Sequence, residues 1–154
     1  MNVTVDLRNN SGASGVPLRR QFRHWALTAM QHLAAPREHN RLSILIVDEA
    51  ESARLNSSFR MKPGATNILS FPLPEDAPAS SWMGDLAICA QVVAKEAAVQ
   101  NKPVDAHWAH LTVHGVLHLN GYDHEEEGEA ASMEALETNI LKKLGYQDPY
   151  QPLP

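Results

Sequence analysis

The sequence contains a single cysteine, Cys89, among its 154 residues. One thiol cannot form an internal disulfide, and it also excludes the cysteine-rich zinc sites of zinc fingers and ribbons. A metal ion in this protein would therefore have to be bound by histidine and carboxylate side chains. The lack of a disulfide framework is typical of proteins in a reducing cytoplasm, and we expect this protein there.

Long apolar stretches are also missing. No segment approaches the roughly 20 consecutive apolar residues that a membrane span requires. The N-terminal segment MNVTVDLRNN alternates apolar and polar residues like a strand, and it has neither the basic start nor the apolar core of a signal peptide. We therefore expect a cytoplasmic protein without a membrane partner.

Positive charge is in short supply, because 13 Lys and Arg residues face 18 Asp and Glu residues, which gives a net charge of −5. This balance argues weakly against a nucleic-acid partner. The charge is uneven, however, since residues 1–63 carry a net +4 and residues 64–154 a net −9. The basic part is able to face a polyanion, but an unevenly charged solvated surface would look the same.

The length is that of one ordinary domain, and we predict a single domain over residues 1–154. Alternating or continuous apolar runs predict strands at 3–7, 42–47, 67–71 and 85–89. Apolar residues at helical spacing, with their start and stop signals, predict helices at 18–33, 48–59, 91–101, 104–119 and 125–144. This order indicates an α+β fold close to α/β, with a small mixed sheet of about four strands and helices packed on it.

Five of the eight histidines lie between residues 107 and 124, and three of them are spaced four apart: His110, His114 and His118. On a helix these three lie along one face, one per turn. His110 and His118 would be separated by roughly 11 Å of axial rise, whereas a zinc–nitrogen bond is only about 2 Å long. Only adjacent members can share one ion, so two pairs are possible.

The residues after His118 favour the pair of His114 and His118. Gly121 can end the helix in a left-handed conformation and turn His124 back towards this pair. The spacing H-x-x-x-H-x-x-G-x-x-H is the metal-binding skeleton of the metzincin motif. Three ligands leave one coordination position open, which is typical of catalytic zinc. We predict one Zn²⁺ bound by His114, His118 and His124, and packing or surface roles for the remaining histidines.

One position departs from the metzincin pattern. Metzincins place a Glu general base directly after the first histidine, and this chain has Gly115 there. The departure argues against a peptidase. Acidic residues follow the motif at Asp123 and at 125–127, and Asp123 is a candidate acceptor for the second nitrogen of a ligand histidine.

The segment His114-Gly-Val-Leu-His118-Leu-Asn-Gly-Tyr-Asp-His124 resembles the signature of the YbeY family of bacterial endoribonucleases. Further blocks resemble that family in the right order, so that the resemblance covers nearly the whole chain: Leu55-Asn-Ser-Ser-Phe-Arg60, Thr66-Asn-Ile-Leu-Ser-Phe-Pro72, Gly84-Asp-Leu-Ala-Ile88 and Leu144-Gly-Tyr146. Many members carry Asp where this chain has Asn67.

The resemblance implies a zinc ion on the three histidines and a functionally essential Arg60. It also implies cleavage of single-stranded RNA in the 3′-end maturation of small-subunit ribosomal RNA and in ribosome quality control. We accordingly expect RNA and the ribosome or its proteins as partners, and no DNA. A guanidinium at Arg60 can clamp the phosphoryl oxygens on which charge builds up during cleavage, although it could instead tether a helix end.

Two other functions are compatible with the same residues. The histidine cage could serve a hydrolase of peptide or amide bonds, against which the missing Glu counts. Alternatively, the protein could be a ribosome-assembly binding factor whose zinc is structural. The sequence does not identify a general base, the RNA cleavage site or the oligomeric state, and imidazole ligands suit several divalent metals besides zinc.

Overall fold

The structure is a computed structural model that describes residues 1–33, 39–74, 81–122 and 127–150. The strands in this part of the chain are β1 (Asn2–Asn9), β2 (His39–Val47), β3 (Ile68–Pro72) and β4 (Trp82–Cys89). The helices are α1 (Arg19–Gln31), α2 (Glu49–Arg60), α3 (Ala90–Val99), α4 (Val104–Leu119) and α5 (Glu127–Lys143).

The four strands form one mixed sheet in the order β1-β2-β4-β3. β2 pairs in parallel with β1 and β4, while β3 runs antiparallel to β4 at the edge. The continuous apolar run of β2 suits this central position, and Leu42, Ile44 and Ile46 are fully buried. The predicted α+β fold with about four strands is confirmed.

Most helix packing is on one face of the sheet, whereas Thr4, Asp6 and Arg8 of β1 are exposed on the other face. α1 and α4 lie on one face and contact each other, with the ring of Phe22 edge-on to Trp108 at 5.9 Å between centroids. α3 and α5 pack against α4, while α2 lies against β4. α4 is consequently surrounded by the sheet and by other helices. No helix within the described ranges is both long and apolar enough to cross a membrane.

Local sequence signals fix most helix ends where they were predicted. The Asp48 side chain accepts a hydrogen bond from the backbone N–H of Glu51 at 2.8 Å and caps α2. Pro103 is the N-terminal cap of α4, and Gly145 follows α5 with a positive φ of 94°. These ends depend on neighbours in sequence, which is why a single sequence is sufficient to predict them.

Two sequence-based expectations differ from the structure. β2 and β4 begin three residues earlier than predicted, because pairing with β1 extends β2 back to His39. A large aromatic residue in a strand is expected to fill the core, but Phe71 is only half-buried and packs edge-on against Phe59, with 5.0 Å between ring centroids. Alternation along β3 turns Phe71 to the sheet face opposite Ile68, where α2 replaces the main core as its neighbour.

Candidate metal centre on helix α4

The second half of α4 is buried on every side except one narrow stripe. From Trp108 to Asn120, the residues that are not fully buried are His110, His114, His118 and Asn120 itself. The fourfold spacing of the histidines places them one per turn along this stripe, as the sequence predicted. A central helix packed against the sheet therefore exposes imidazole rings on its single open side.

His114 and His118 form the closest pair within the stripe. Their ring centroids are 4.5 Å apart, compared with 6.4 Å between His110 and His114. The stripe borders a pocket of about 330 Å³ whose lining includes His110, His114 and Tyr150. The adjacent pair that sequence analysis favoured is thus also the pair with the shorter spacing.

The chain turns sharply directly after this pair. Gly121 has a positive φ of 92°, and its N–H donates to the carbonyl of His118 at 3.0 Å. The N–H of Tyr122 donates to the carbonyl of Leu117 at 3.0 Å, which completes a Schellman motif. The predicted turn at Gly121 is therefore present.

The other two residues predicted for this turn, His124 and Asp123, lie outside the described residues. Within residues 1–33, 39–74, 81–122 and 127–150, no three His, Cys, Asp or Glu side chains come together in a group suited to a metal ion. The predicted ligand set His114, His118 and His124 therefore stays a prediction, of which the described part of the chain contains the first two members.

A fully buried carboxylate on α5 contacts the histidine stripe from behind. Glu137 has no exposed surface. Its Oε1 accepts a short hydrogen bond from Nδ1 of His114, and its Oε2 accepts one from Nε2 of His110 at 3.0 Å. The hydroxyl of Tyr150 also donates to Oε2. Sequence analysis missed this residue, which lies 23 positions after His114.

The surroundings of Glu137 decide its charge. Burial raises the pKa of this carboxyl, but the hydrogen bonds from His110, His114 and Tyr150 outweigh burial and lower the pKa to about 2. Burial and the neighbouring carboxylate raise the pKa of Tyr150, which keeps its hydroxyl protonated as a donor. Glu137 is therefore an anion that can only accept, and Nδ1 of His114 must carry the proton.

This arrangement suits a bound cation. In the imidazole tautomer that carries its proton on Nδ1, the lone pair lies on Nε2, which is the atom available to a metal ion. A buried carboxylate is costly unless positive charge lies close by, and its three hydrogen-bond partners include neither Lys nor Arg. A divalent cation on His114 would supply that charge, so the described residues are compatible with the predicted zinc.

His107 has the packing role that was expected for it. Its ring is buried on α4, and its Nε2 contacts Oε1 of Glu96 on α3 at 2.9 Å. The amide of Asn67 donates to the same oxygen at 3.0 Å. His107 thus links α3 to α4, whereas His110 shares the carboxylate of Glu137 with His114.

Gly115, where metzincins carry their general base, faces away from the histidine stripe. A β-carbon built at this position would lie 2.7 Å from Leu86 and 2.8 Å from Ile68, both of which belong to the sheet. The glycine therefore lets α4 approach the sheet closely. A glutamate there would push its side chain into the core.

Arg60 is the last residue of α2, and its side chain is exposed. In the described part of the chain its side chain makes no hydrogen bond or ion pair. A cation in the last turn of a helix still interacts favourably with the helix dipole, so the alternative role of Arg60 at the helix end stays open. Its neighbour Phe59 packs on Phe71 of β3. Arg60 is thereby located beside the outer strand of the sheet.

The histidine helix approaches the same strand from the other face. Gly115 of α4 lies against Ile68, at the start of β3, and Leu119 lies close to Gly84, which pairs with Pro72 at the end of β3. Because side chains alternate along a strand, Ile68 and Phe71 point to opposite faces. The end of α2, which carries Arg60, and the helix that carries the histidines therefore lie on the two sides of one edge strand. The sequence alone did not predict this arrangement.

The chain is similar to known proteins over nearly its whole length. A family model described as endoribonuclease YbeY matches residues 7–145. The endoribonuclease YbeY of Methylococcus capsulatus is 51% identical over 150 residues, which cover 96% of each chain. That of Nitrosococcus oceani is 47% identical over 154 residues, covering 98% of this chain and 99% of its own.

Among solved structures, the solution structure of TM1509 from Thermotoga maritima is similar, with a TM-score of 0.57 and 21% identity over 97% of this chain and 99% of its own. At this identity the likeness supports the fold alone. The sequence matches, in contrast, extend over the end of α2, the edge strand and the histidine helix together. By the extent and identity of these matches, the chain belongs to the YbeY endoribonuclease family.

Proposed function

We propose that this protein is a zinc-dependent endoribonuclease that cleaves single-stranded RNA. We further propose that it acts in the cytoplasm on the 3′ end of small-subunit ribosomal RNA and in ribosome quality control, in contact with the ribosome or its proteins. Membership of the YbeY family supports the nuclease activity. The single observation that carries the metal-dependent mechanism is the pair of His114 and His118, backed by the buried carboxylate of Glu137.

In this proposal His114, His118 and His124 hold one zinc ion. When bound, zinc supplies a Lewis acid that polarises a phosphoryl oxygen and makes a water molecule more acidic. His114 and His118 present their rings from a helix that is packed on all its other sides, so their positions change little when substrate binds. Glu137 keeps the proton of His114 on Nδ1.

Arg60 is proposed to bind the scissile phosphate. Its guanidinium can donate two parallel hydrogen bonds to the phosphoryl oxygens, where negative charge builds up in the transition state. In the described residues this group has no competing carboxylate partner. An RNA strand that crosses the outer edge of β3 would meet Arg60 on one side and the histidine pair on the other.

The position of Gly115 counts against a peptidase. A peptidase of the metzincin type needs a glutamate at this position, whose carboxylate takes a proton from water. Here the position faces Leu86 and Ile68 in the core. There is no room at position 115 for a glutamate that could act as the general base beside the histidines. This favours phosphodiester cleavage over peptide cleavage.

The experiment that tests the proposal compares RNA cleavage by the wild-type protein, His114→Ala and the matched control His24→Ala, with the zinc content of each recorded. His24 is exposed on α1, away from the histidine stripe. The substrates are a labelled single-stranded RNA, the same RNA in a duplex, and a small-subunit precursor RNA with an unprocessed 3′ end.

We expect His114→Ala to lose zinc and cleavage together, while His24→Ala behaves as wild type and the duplex resists cleavage. Cuts in the precursor should fall near its unprocessed 3′ end. Equal cleavage by wild type and His114→Ala would contradict the proposal and indicate a contaminating ribonuclease. Loss of zinc with retained support of ribosome assembly would instead favour a binding factor.

A further inference from the structure

The buried carboxylate of Glu137, which contacts two histidines of the stripe, suggests a role beyond packing. This inference rests on the proposed metal-dependent function. We propose that Glu137 is the positioning residue of the metal centre: it holds the His114 ring in the orientation and tautomer that present Nε2 to the metal. It does so without touching substrate or metal itself.

The two oxygens of Glu137 have different partners. Oε1 accepts its hydrogen bond from His114, whereas Oε2 accepts from both His110 and Tyr150. The two donors on Oε2 fix the carboxylate plane, so that Oε1 points at Nδ1 of His114 in a defined direction. His110, which a single metal ion cannot share with His118, is thereby part of the support for the ligand beside it.

The orientation matters because an imidazole has two nitrogens and either can carry the proton. A neutral ring with its proton on Nε2 would turn an N–H towards the metal position and could not bind. A carboxylate acceptor at Nδ1 stabilises the opposite tautomer and increases the basicity of the ligand nitrogen. Glu137 therefore restricts His114 to the tautomer and orientation that can bind a metal.

Burial makes this support rigid. Glu137 lies among Met133, Ile140 and Leu141 on the inner face of α5, and each of these side chains is at most 2% exposed. A carboxylate with a purely structural role could accept hydrogen bonds from His110 and Tyr150 only. Glu137 also accepts a hydrogen bond from Nδ1 of His114, the ring nitrogen whose protonation determines whether Nε2 can bind a metal ion.

The first part of the test reads the tautomer directly. Long-range ¹H–¹⁵N NMR spectra of the metal-free wild-type protein, with His114 assigned by substitution, report which ring nitrogen carries the proton. We expect His114 to carry it on Nδ1. A His114 ring protonated on Nε2 in the metal-free protein would overturn the proposal, and this measurement does not depend on whether any variant folds.

The second part measures zinc affinity by competition with a chromophoric chelator in wild type, Glu137→Gln and Glu134→Gln. Glu134 lies on the same helix but is exposed, so Glu134→Gln is the matched control. We expect Glu137→Gln to weaken zinc binding about 10- to 100-fold and Glu134→Gln to bind as wild type. Wild-type affinity in a folded Glu137→Gln variant would overturn the proposal.

The same titration separates this inference from the function on which it rests. If wild type does not bind zinc, or if His114→Ala binds it as tightly as wild type, the metal centre itself is wrong and the inference falls with it. If wild type binds zinc, His114→Ala does not, and Glu137→Gln equals wild type, the metal centre stands and only the positioning role is wrong.

Discussion

Glu137 and Arg60 support the two halves of the candidate site in contrasting ways. Glu137 has no exposed surface and three hydrogen-bond donors around it, whereas Arg60 is exposed at the end of α2 and has no hydrogen-bond or ion-pair partner in the described residues. The described part of the proposed metal half, His114 with its carboxylate partner, is thus organised without a bound metal ion. In the proposed phosphate-binding half, the Arg60 side chain would be ordered only when RNA binds.

This difference determines which property a substitution in each half should change. A substitution of Glu137 should weaken metal binding and lower the free energy of unfolding, because Glu137 holds the ligand side chain in a fixed geometry. An exposed arginine contributes little to the folded state, and its whole effect should appear in the reaction.

The largest effect is expected for Arg60→Ala on cleavage. Loss of a guanidinium that stabilises charge in the transition state should lower the rate on the order of 10²–10³-fold. The fold and the zinc content should not change. Single-turnover cleavage of labelled RNA measures the rate, with Arg54→Ala as the control, since Arg54 is exposed on the same helix and paired with Glu51. Unchanged cleavage in Arg60→Ala would remove Arg60 from the site.

Zinc should stabilise the folded protein through the preorganised half alone. At a free zinc concentration of 100 times the dissociation constant, binding adds about 2.7 kcal/mol to the free energy of unfolding. We expect this gain in wild type and in Arg60→Ala, but not in His114→Ala. Urea unfolding with and without zinc measures it. An equal gain in His114→Ala would locate the zinc elsewhere.

The support of the metal half should be visible even without metal. Glu137→Ala leaves three donors without their acceptor, so we expect the free energy of unfolding of the metal-free protein to fall by about 1–3 kcal/mol. Arg60→Ala should change it by no more than about 0.5 kcal/mol. The two urea midpoints give the comparison directly. Equal midpoints for the two variants would remove the contrast between the halves.

The smallest effect is expected for Tyr150→Phe. This change deletes one of the two donors to Oε2 and leaves the contact between Oε1 and His114 in place. We expect a loss of about 1 kcal/mol in the free energy of unfolding and a zinc affinity close to that of wild type. The chelator competition checks the affinity. A loss as large as that of Glu137→Gln would mean that Tyr150 matters as much as the carboxylate.

Much of the fold and half of the described site follow from local sequence. Proline and glycine limit α4, and the spacing of the histidines fixes their common face, so both could be predicted without a structure. The pairing of His114 with His118 required only the helical repeat and the turn at Gly121. These features depend on residues within a few positions of one another.

Glu137 could not be placed in this way, because its contact with His114 depends on how α5 packs against α4. A signal was nevertheless present in the sequence: Glu137 falls into the apolar stripe formed by Met133, Ile140 and Leu141. A charged residue in such a stripe is buried and must find partners. Searching helix stripes for charged residues would have identified it as a residue with a special role.

The relation between Arg60 and the histidines was equally out of reach. It depends on Phe59 of α2 and Gly115 of α4 lying against opposite faces of the edge strand β3, which is a property of the whole sheet. The role of Gly115 also could not be predicted in full from the sequence. The sequence identified it as a missing base, whereas the structure supplies the packing reason, a close approach to Leu86 and Ile68.

The central claim is that one zinc ion at the histidine pair is required for RNA cleavage. The most direct test is to remove all metal from the wild-type protein, add zinc back stepwise, and measure cleavage of single-stranded RNA at each step. We expect no cleavage without metal, and an activity that rises with zinc occupancy and levels off at one ion per chain. Full cleavage by the metal-free protein would contradict this claim.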